Sequence, residues 1–163
     1  VAIGAIDRDN GLCTTWHTSP IKTIEDATKQ EVPMGATGGS TSSQYPRAMN
    51  SILGTKFKII LGYPGGNDIN LAMEKGEVGG RGSNSWASWK SLNPKWIAEK
   101  KIHILVQIGL QRAKDLPDVP LLFELASDDV DREVLRFISA DTAISRSAVT
   151  TPDVPLTIVP PEL

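Results

Sequence analysis

Residues 32–54 read VPMGATGGSTSSQYPRAMNSILG, a short apolar run, a glycine-serine loop and a helical pattern in succession. Residues 32–36 have the length and composition of a strand. Tyr45, Ala48, Met49, Ile52 and Leu53 fall at i, i+3, i+4, i+7 and i+8, which is one face of a helix, and Gly54 supplies the stop. Pro46 is expected in the first turn, where its missing N–H costs nothing. Strand, loop and helix in that order form the repeating unit of a parallel sheet with helical crossovers.

The same alternation continues in both directions. Residues 12–16, 57–61, a brief segment at Val78 and residues 102–108 read as strands. The last is a near-continuous apolar run of the kind buried on both faces of a parallel sheet. Thr23, followed by Asp26 three residues later, starts a short helix through Ile24 and Ala27. Ile69, Ala72 and Met73 mark a helix closed by Gly76, and Trp86 and Trp89 open another. Asp118 is expected to cap 121–126, and Val130, Val134, Leu135 and Ile138 outline a last helix. From Thr150 the tail is rich in proline (Pro152, Pro155, Pro160, Pro161) and expected to be extended or frayed. The pattern predicts an α/β fold, a three-layer sandwich with a mainly parallel sheet, and no internal repeat.

Composition narrows the function. The 163 residues carry 17 Lys+Arg against 19 Asp+Glu, a net charge of −2 without the basic excess of a nucleic-acid surface. One cysteine, Cys13, excludes an internal disulfide framework and a Cys-rich zinc module, and two histidines leave little for a metal site. No apolar run approaches the ~20 residues that span a bilayer. The chain begins at Val1, which suggests a mature product or a fragment.

In such sheets ligands bind outside the carboxyl ends of the strands. Three glycine-rich segments, 35–42, 62–67 and 79–86, are expected there. In the first, small residues let the backbone approach a ligand, and N–H groups and hydroxyls converge on a helix N-terminus that favours an anion. No Lys precedes its last Ser/Thr, so it is not a P-loop, and Ser42 stands where a nucleophile elbow needs glycine. Its neutral, hydroxyl-rich character suits a carboxylate better than a phosphate. Residues 62–67 add an aromatic hydroxyl, Tyr63, and residues 82–86 add hydroxyl, amide and indole donors. His17, Ser40 and an Asp can be drawn as a triad on paper, but nothing in the sequence fixes their geometry.

Four strings, in order, resemble the solute-binding receptors of tripartite tricarboxylate transporters, the Bug-type extracytoplasmic receptors. Residues 16–26, WHTSPIKTIED, resemble their P-x-K-T-I-x-D-L segment, and residues 35–40, GATGGS, their ligand loop. Residues 73–78, MEKGEV, resemble the M-E-x-G-E-V-D-G turn, with Gly79 where that family usually has Asp; residues 116–120, LPDVP, match L-P-D-V-P-T. The resemblance covers about residues 7–155. It implies one lobe of a type 2 periplasmic binding protein, the second of two. Residues 1–150 would form the ligand-binding lobe, and 151–163 a proline-rich tail leading back toward a first lobe absent from this chain.

By that resemblance the ligand is a small organic carboxylate held largely by backbone N–H groups, and the partners are membrane permease subunits. The location is periplasmic, with no cofactor, metal, nucleic acid or catalysis. Thr37, Gly38, Gly39, Ser40 and Thr41 match the carboxylate loop, Tyr63 and Gly65 the next loop, and Ser83 and Trp86 the third. Asp7 and Asn10 lie beside the crossing between lobes. The rival reading is a small α/β hydrolase-like enzyme using Ser40.

Overall fold

The computed structural model describes residues 2–5, 9–143 and 147–149; the expectations for Asp7 and for the 151–163 tail lie outside them. Along the chain come β1 (Ala2–Ala5), β2 (Gly11–Trp16), α1 (Ile24–Lys29), β3 (Val32–Gly35), α2 (Thr41–Leu53) and β4 (Phe57–Ile60). Then follow α3 (Gly66–Glu74), β5 (Gly80–Ser85), α4 (Trp86–Leu92), α5 (Pro94–Ala98) and β6 (Ile102–Ile108). A 3-10 turn at Leu122–Leu125 leads to α6 (Asp129–Ser139), a second 3-10 turn at Ala140–Ala143 and β7 (Ser147–Val149).

The main sheet has the order β4-β3-β5-β2-β6. β3 lies parallel to both β4 and β5, whereas β2 runs antiparallel to β5 and to β6. Four strands therefore point one way and β2 alone points the other, a mixed sheet. Apart from it, β1 and β7 pair antiparallel, so the two ends of the described chain run side by side.

Alternation along the strands splits the core into two. Cys13, Met34 and Val106 face α1, α2 and α6, whose Ile24, Met49 and Leu135 are buried against them. Leu12 and Ile102 face α3, α4 and α5, where Ile69, Met73, Trp86, Trp89 and Trp96 close the second cluster. The architecture is thus the expected three-layer α/β sandwich. The Thr23 capping box forms, with Asp26 N–H donating to Thr23 Oγ1 and Thr23 N–H to Asp26 Oδ2. Gly54 ends α2 with φ 68°, a left-handed position suited to glycine.

Several local expectations are revised. Residues 80–85, GRGSNS, form the middle strand of the sheet, although a glycine-rich segment with no apolar residue reads as a loop. Its glycines serve close approach: a Cβ on Gly82 would stand 2.0 Å from Pro46 Cγ and 2.6 Å from Ser42 O, and one on Gly80 2.3 Å from Thr14 O. Pro46 lies inside α2 because the helix begins at Thr41, earlier than its apolar stripe suggests. β6 pairs antiparallel with β2 and bonds to no second strand among the described residues; its Gln107 makes one isolated parallel bridge to Leu121. The 121–126 segment is a 3-10 turn whose Leu121 N–H donates to Glu124 Oε2, with Asp118 taking no part in the cap. Of the four positions expected along α6, Leu135 is buried and Ile138 packs against the core, whereas Val130 and Val134 point outward.

Seating α2 on β5 requires that position 82 have no side chain. Gly82→Ala should therefore destabilise the chain by about 2 kcal/mol through overpacking. Gly39→Ala, whose Cβ would meet no heavy atom within 4 Å, should change stability by less than ~0.5 kcal/mol. Urea unfolding of the two variants beside the parent checks both.

Candidate functional site: an edge with two open helix N-termini

One edge of the sheet gathers the ends of β3, β4, β5 and β6 together with the beginning of β2. All the sequence-predicted site residues within the described chain lie along it. The helices that start there differ in one respect: whether the protein itself satisfies their first N–H groups.

At α4 it does. Trp86 N–H donates to Asn10 O (2.9 Å), Ala87 N–H to Asp9 Oδ1 (3.0 Å) and Ser88 N–H to Ser85 Oγ (3.0 Å). Asn10 is also committed, its amide nitrogen donating to Gln107 Oε1 (2.9 Å) and Gln111 O (2.7 Å). Trp86 is buried, and its indole N–H donates to Asp115 Oδ2 at 3.3 Å. The polar groups of these two residues are spent on the fold.

At α2 the first turn is open. Ser40 is the N-cap residue but makes no side-chain cap bond, and Gly38, Gly39, Ser40 and Thr41 donate no backbone hydrogen bond to another described residue. The hydroxyls bond one another instead. Thr37 Oγ1 and Ser40 Oγ are 2.9 Å apart, Ser40 Oγ and Ser42 Oγ 2.7 Å, and Thr37 Oγ1 and Ser42 Oγ 3.4 Å. Three hydroxyl protons around three edges form a closed ring, whose long Thr37–Ser42 edge is the cheapest to exchange for an outside acceptor. Thr37 N–H donates to Ser42 Oγ (3.0 Å), and Ser43 Oγ donates to Gly38 O (2.6 Å), fixing the loop from below. Gly38 sits at φ 64° and is exposed, as are Gly39 and Thr41.

At α3 the cap residue is Gly65, which has no side chain to offer, and Gly66, Asn67 and Asp68 donate no backbone hydrogen bond to a described residue. The half-buried Tyr63 covers Gly35 at the end of β3, its Cε2 3.3 Å from where a Cβ would stand. Ser83 lies on β5 beside Gly11, half-buried.

Sequence reading passed over Arg81. It is 7% exposed and stands at the level of Gly35 in the sheet. Its Nε donates to Ser83 O (3.2 Å), and Nη1 donates to Gly66 O (3.2 Å) and Asn70 Oδ1 (2.9 Å). The Trp89 ring lies 5.8 Å from its Cζ. Burial pushes the guanidinium down to about 10, and among the described residues no carboxylate pairs with it.

A cavity of about 530 Å³ opens farther along the edge, lined by Asp9, Asn10, Trp86, Lys90, Arg112 and Asp115 among others. It touches neither open N-terminus; Lys90 pairs there with Asp115 and Arg112 with Glu124, whereas Lys114 has no ion-pair partner among the described residues and Asp9 Oδ2 is buried without a hydrogen-bond partner among them. Among the described residues no group of three His, Cys, Asp or Glu is close enough to hold a metal ion, and no helix is long and apolar enough to cross a membrane. Cys13 is fully buried and its thiol is pushed up to about 12 by desolvation. His17 and His103 stand at the opposite end of the strands from Ser40, since β2 runs away from this edge and β6 runs toward it.

Ser42 is the buried hub of the hydroxyl ring, and its removal leaves Thr37 N–H without an acceptor. Ser42→Ala should cost about 1–2 kcal/mol of stability and Ser40→Ala less than 1, because Ser40 is half-exposed and its partners keep each other. Urea denaturation measures both.

No family model and no curated protein matches the sequence. Solved structures do. A TctC solute-binding protein from Polaromonas, without ligand, superimposes with a TM-score of 0.61 at 21% identity over 88% of this chain and 55% of its own. R. palustris Rpa4515 with adipate gives 0.61 at 15% over 86% and 53%. The periplasmic binding protein BugD gives 0.56 at 15% over 88% and 54%. The chain spans about half the length of these structures. It has the fold of one lobe of a TctC/Bug-type periplasmic solute-binding protein.

Proposed function

We propose that the chain is the second lobe of an extracytoplasmic solute-binding receptor of the tripartite tricarboxylate type. It captures a small organic carboxylate in the periplasm and delivers it to membrane permease subunits. The observation that carries this reading is the pair of open helix N-termini, α2 and α3, on one sheet edge, with the Thr37–Ser40–Ser42 hydroxyl ring beside them. Unaccepted N–H groups and the positive ends of two helices favour an anion. Neutral hydroxyls and backbone, without a cluster of cations, suit a carboxylate. The fold likeness supports the reading, and so does the adipate, a dicarboxylate, that accompanies R. palustris Rpa4515.

In this reading Thr37, Gly38, Gly39, Ser40 and Thr41 contact the ligand from α2, and Tyr63 and Gly65 from α3. Ser83 borders the site, while Asn10 and Trp86 support it. A first lobe beyond residues 1–150 would complete the cleft, and the side-by-side β1 and β7 are the natural place for the chain to cross to it twice. A site shared between two lobes is an open surface on either one alone, which agrees with the exposure of Gly38, Gly39 and Thr41. The reading needs no cofactor, nucleic acid or catalytic step. The Ser40 hydrolase reading needs a base beside Ser40, and both histidines lie at the far end of the strands.

With one lobe, about half the contacts are missing and the rest face water, and each ~1.4 kcal/mol lost weakens binding tenfold. Thermal shift assays on the 163-residue chain should show no stabilisation by di- or tricarboxylates below millimolar concentration. A micromolar ligand would mean that this chain holds a complete site. In the two-lobed receptor, calorimetry should find Gly39→Val more damaging than Ser40→Ala. A Cβ at Gly39 enters open space, and in this reading that space is the ligand's, whereas the hydroxyl is worth roughly 0.5–1.5 kcal/mol. Unchanged affinity in Gly39→Val would remove this loop from the site, and labelling of Ser40 by a fluorophosphonate would favour the hydrolase.

A further inference from the structure

A cation taken out of water normally sits against a carboxylate, because desolvation costs several kcal/mol that neutral acceptors only partly return. Arg81 departs from this. It is 93% removed from solvent, its three acceptors (Ser83 O, Gly66 O and Asn70 Oδ1) are all neutral, and no described residue accepts from Nη2. A fold that needed only a rivet between β5 and α3 would be served by a neutral side chain of similar length. The location of the spare donor is specific: a Cβ on Gly66 would stand 2.8 Å from Nη2, so the free end of the guanidinium lies beside the first residue of α3. That is the same turn whose cap residue, Gly65, offers no side chain and whose N–H groups have no described acceptor.

We propose that the Arg81 guanidinium, buried beneath the first turn of α3 with no carboxylate among the described residues to answer its charge, is the group that makes this edge select an anionic carboxylate over a neutral isostere. The proposal rests on the receptor reading above and adds to it the residue that reads charge and the turn at which the charge is read. The α2 loop supplies hydrogen bonds that a neutral amide can also accept; the α3 turn, with a full positive charge and a helix end together, does not tolerate that exchange. Trp89 against the guanidinium and Asn70 beneath it hold the fork in one orientation, so little is lost in ordering it on binding. One charge nearby opposes the anion. The exposed Asp68 has its Oδ2 3.2 Å from the Cβ position of Gly65, and it makes no ion pair with Arg81. Removing it should therefore strengthen binding.

The experiment is a nitrogen-15 NMR titration of the 163-residue chain with succinate up to 50 mM, with succinamide and with sodium chloride at matched ionic strength. Succinate is expected to shift the Arg81 Nε–Hε signal and the amides of Gly65, Gly66 and Asn67 saturably, and succinamide and chloride should not. Arg81→Lys should weaken succinate binding at least tenfold, and Asp68→Asn should tighten it severalfold. Shifts confined to residues 37–41, or equal shifts with succinamide, would overturn the role of Arg81 while leaving the carboxylate receptor standing. Saturable shifts nowhere on the edge would overturn both. Since the wild-type titration reads Arg81 directly, a poorly folded variant does not decide the result.

Discussion

β2 is buried over its whole length between β5 and β6, hydrogen-bonded antiparallel to both. Because it runs against the other four strands, its first residues reach the edge at which β3, β4 and β5 release their helices. That reversal brings Asp9 and Asn10 beside α4, a helix far along the chain, where they satisfy Ala87 N–H and Trp86 N–H. The β1–β7 ribbon stands apart from the sheet. A parallel β2 would deliver the same residues to the far end, leaving α4 as open as α2 and α3. The close seat of α2 follows from the neighbouring strand. Pro46 has no N–H to give to Ser42 O, and Gly82 has no side chain to keep that turn away.

Elements with an apolar face were legible in the sequence. The five-position stripe from Tyr45 to Leu53, the Thr23–Asp26 box and the strand at 102–108 all form. β5 was not legible because nothing in GRGSNS advertises burial: Gly80 and Gly82 are buried by what packs on them, and Arg81 by a tryptophan and a helix. The direction of β2 was equally hidden, since a period of two carries no sign. In α6 the stripe of Val130, Val134, Leu135 and Ile138 was half right: Leu135 and Ile138 meet the core, while Val130 and Val134 face outward.

The candidate site divides along the same line. Glycines and hydroxyls just after a strand pointed to the α2 and α3 turns because the signal is local. Whether a helix end is open depends on what arrives from elsewhere, and that is why the 79–86 segment looked like a third ligand loop. Its helix is capped by Asp9, Asn10 and Ser85. Arg81 and Gln107 escaped notice for a related reason. Gln107 is fully buried and satisfied on both ends, donating to Leu116 O and Val119 O and accepting from Asn10 and Ala113. A buried polar residue acquires its meaning from partners that the sequence does not name.

The distribution of caps gives the edge its meaning. α1, α4 and α6 each begin with a side-chain cap, from Thr23, Ser85 and Asp128. Such a cap is worth about 1 kcal/mol, and this chain plainly has the residue types to provide it. Ser40 even stands at the N-cap of α2, yet turns its hydroxyl to Thr37 and Ser42 instead of the helix. α3 starts on Gly65, where any hydroxyl residue would do better for stability alone. The two longer helices that forgo capping are the two that begin at the same edge, on opposite faces of the sheet, with a buried arginine below one of them. Forgone stabilisation concentrated in one place is the pattern expected where a ligand supplies the missing acceptors, and the α4 terminus on the same edge shows that the fold can close such an end when nothing is to bind there.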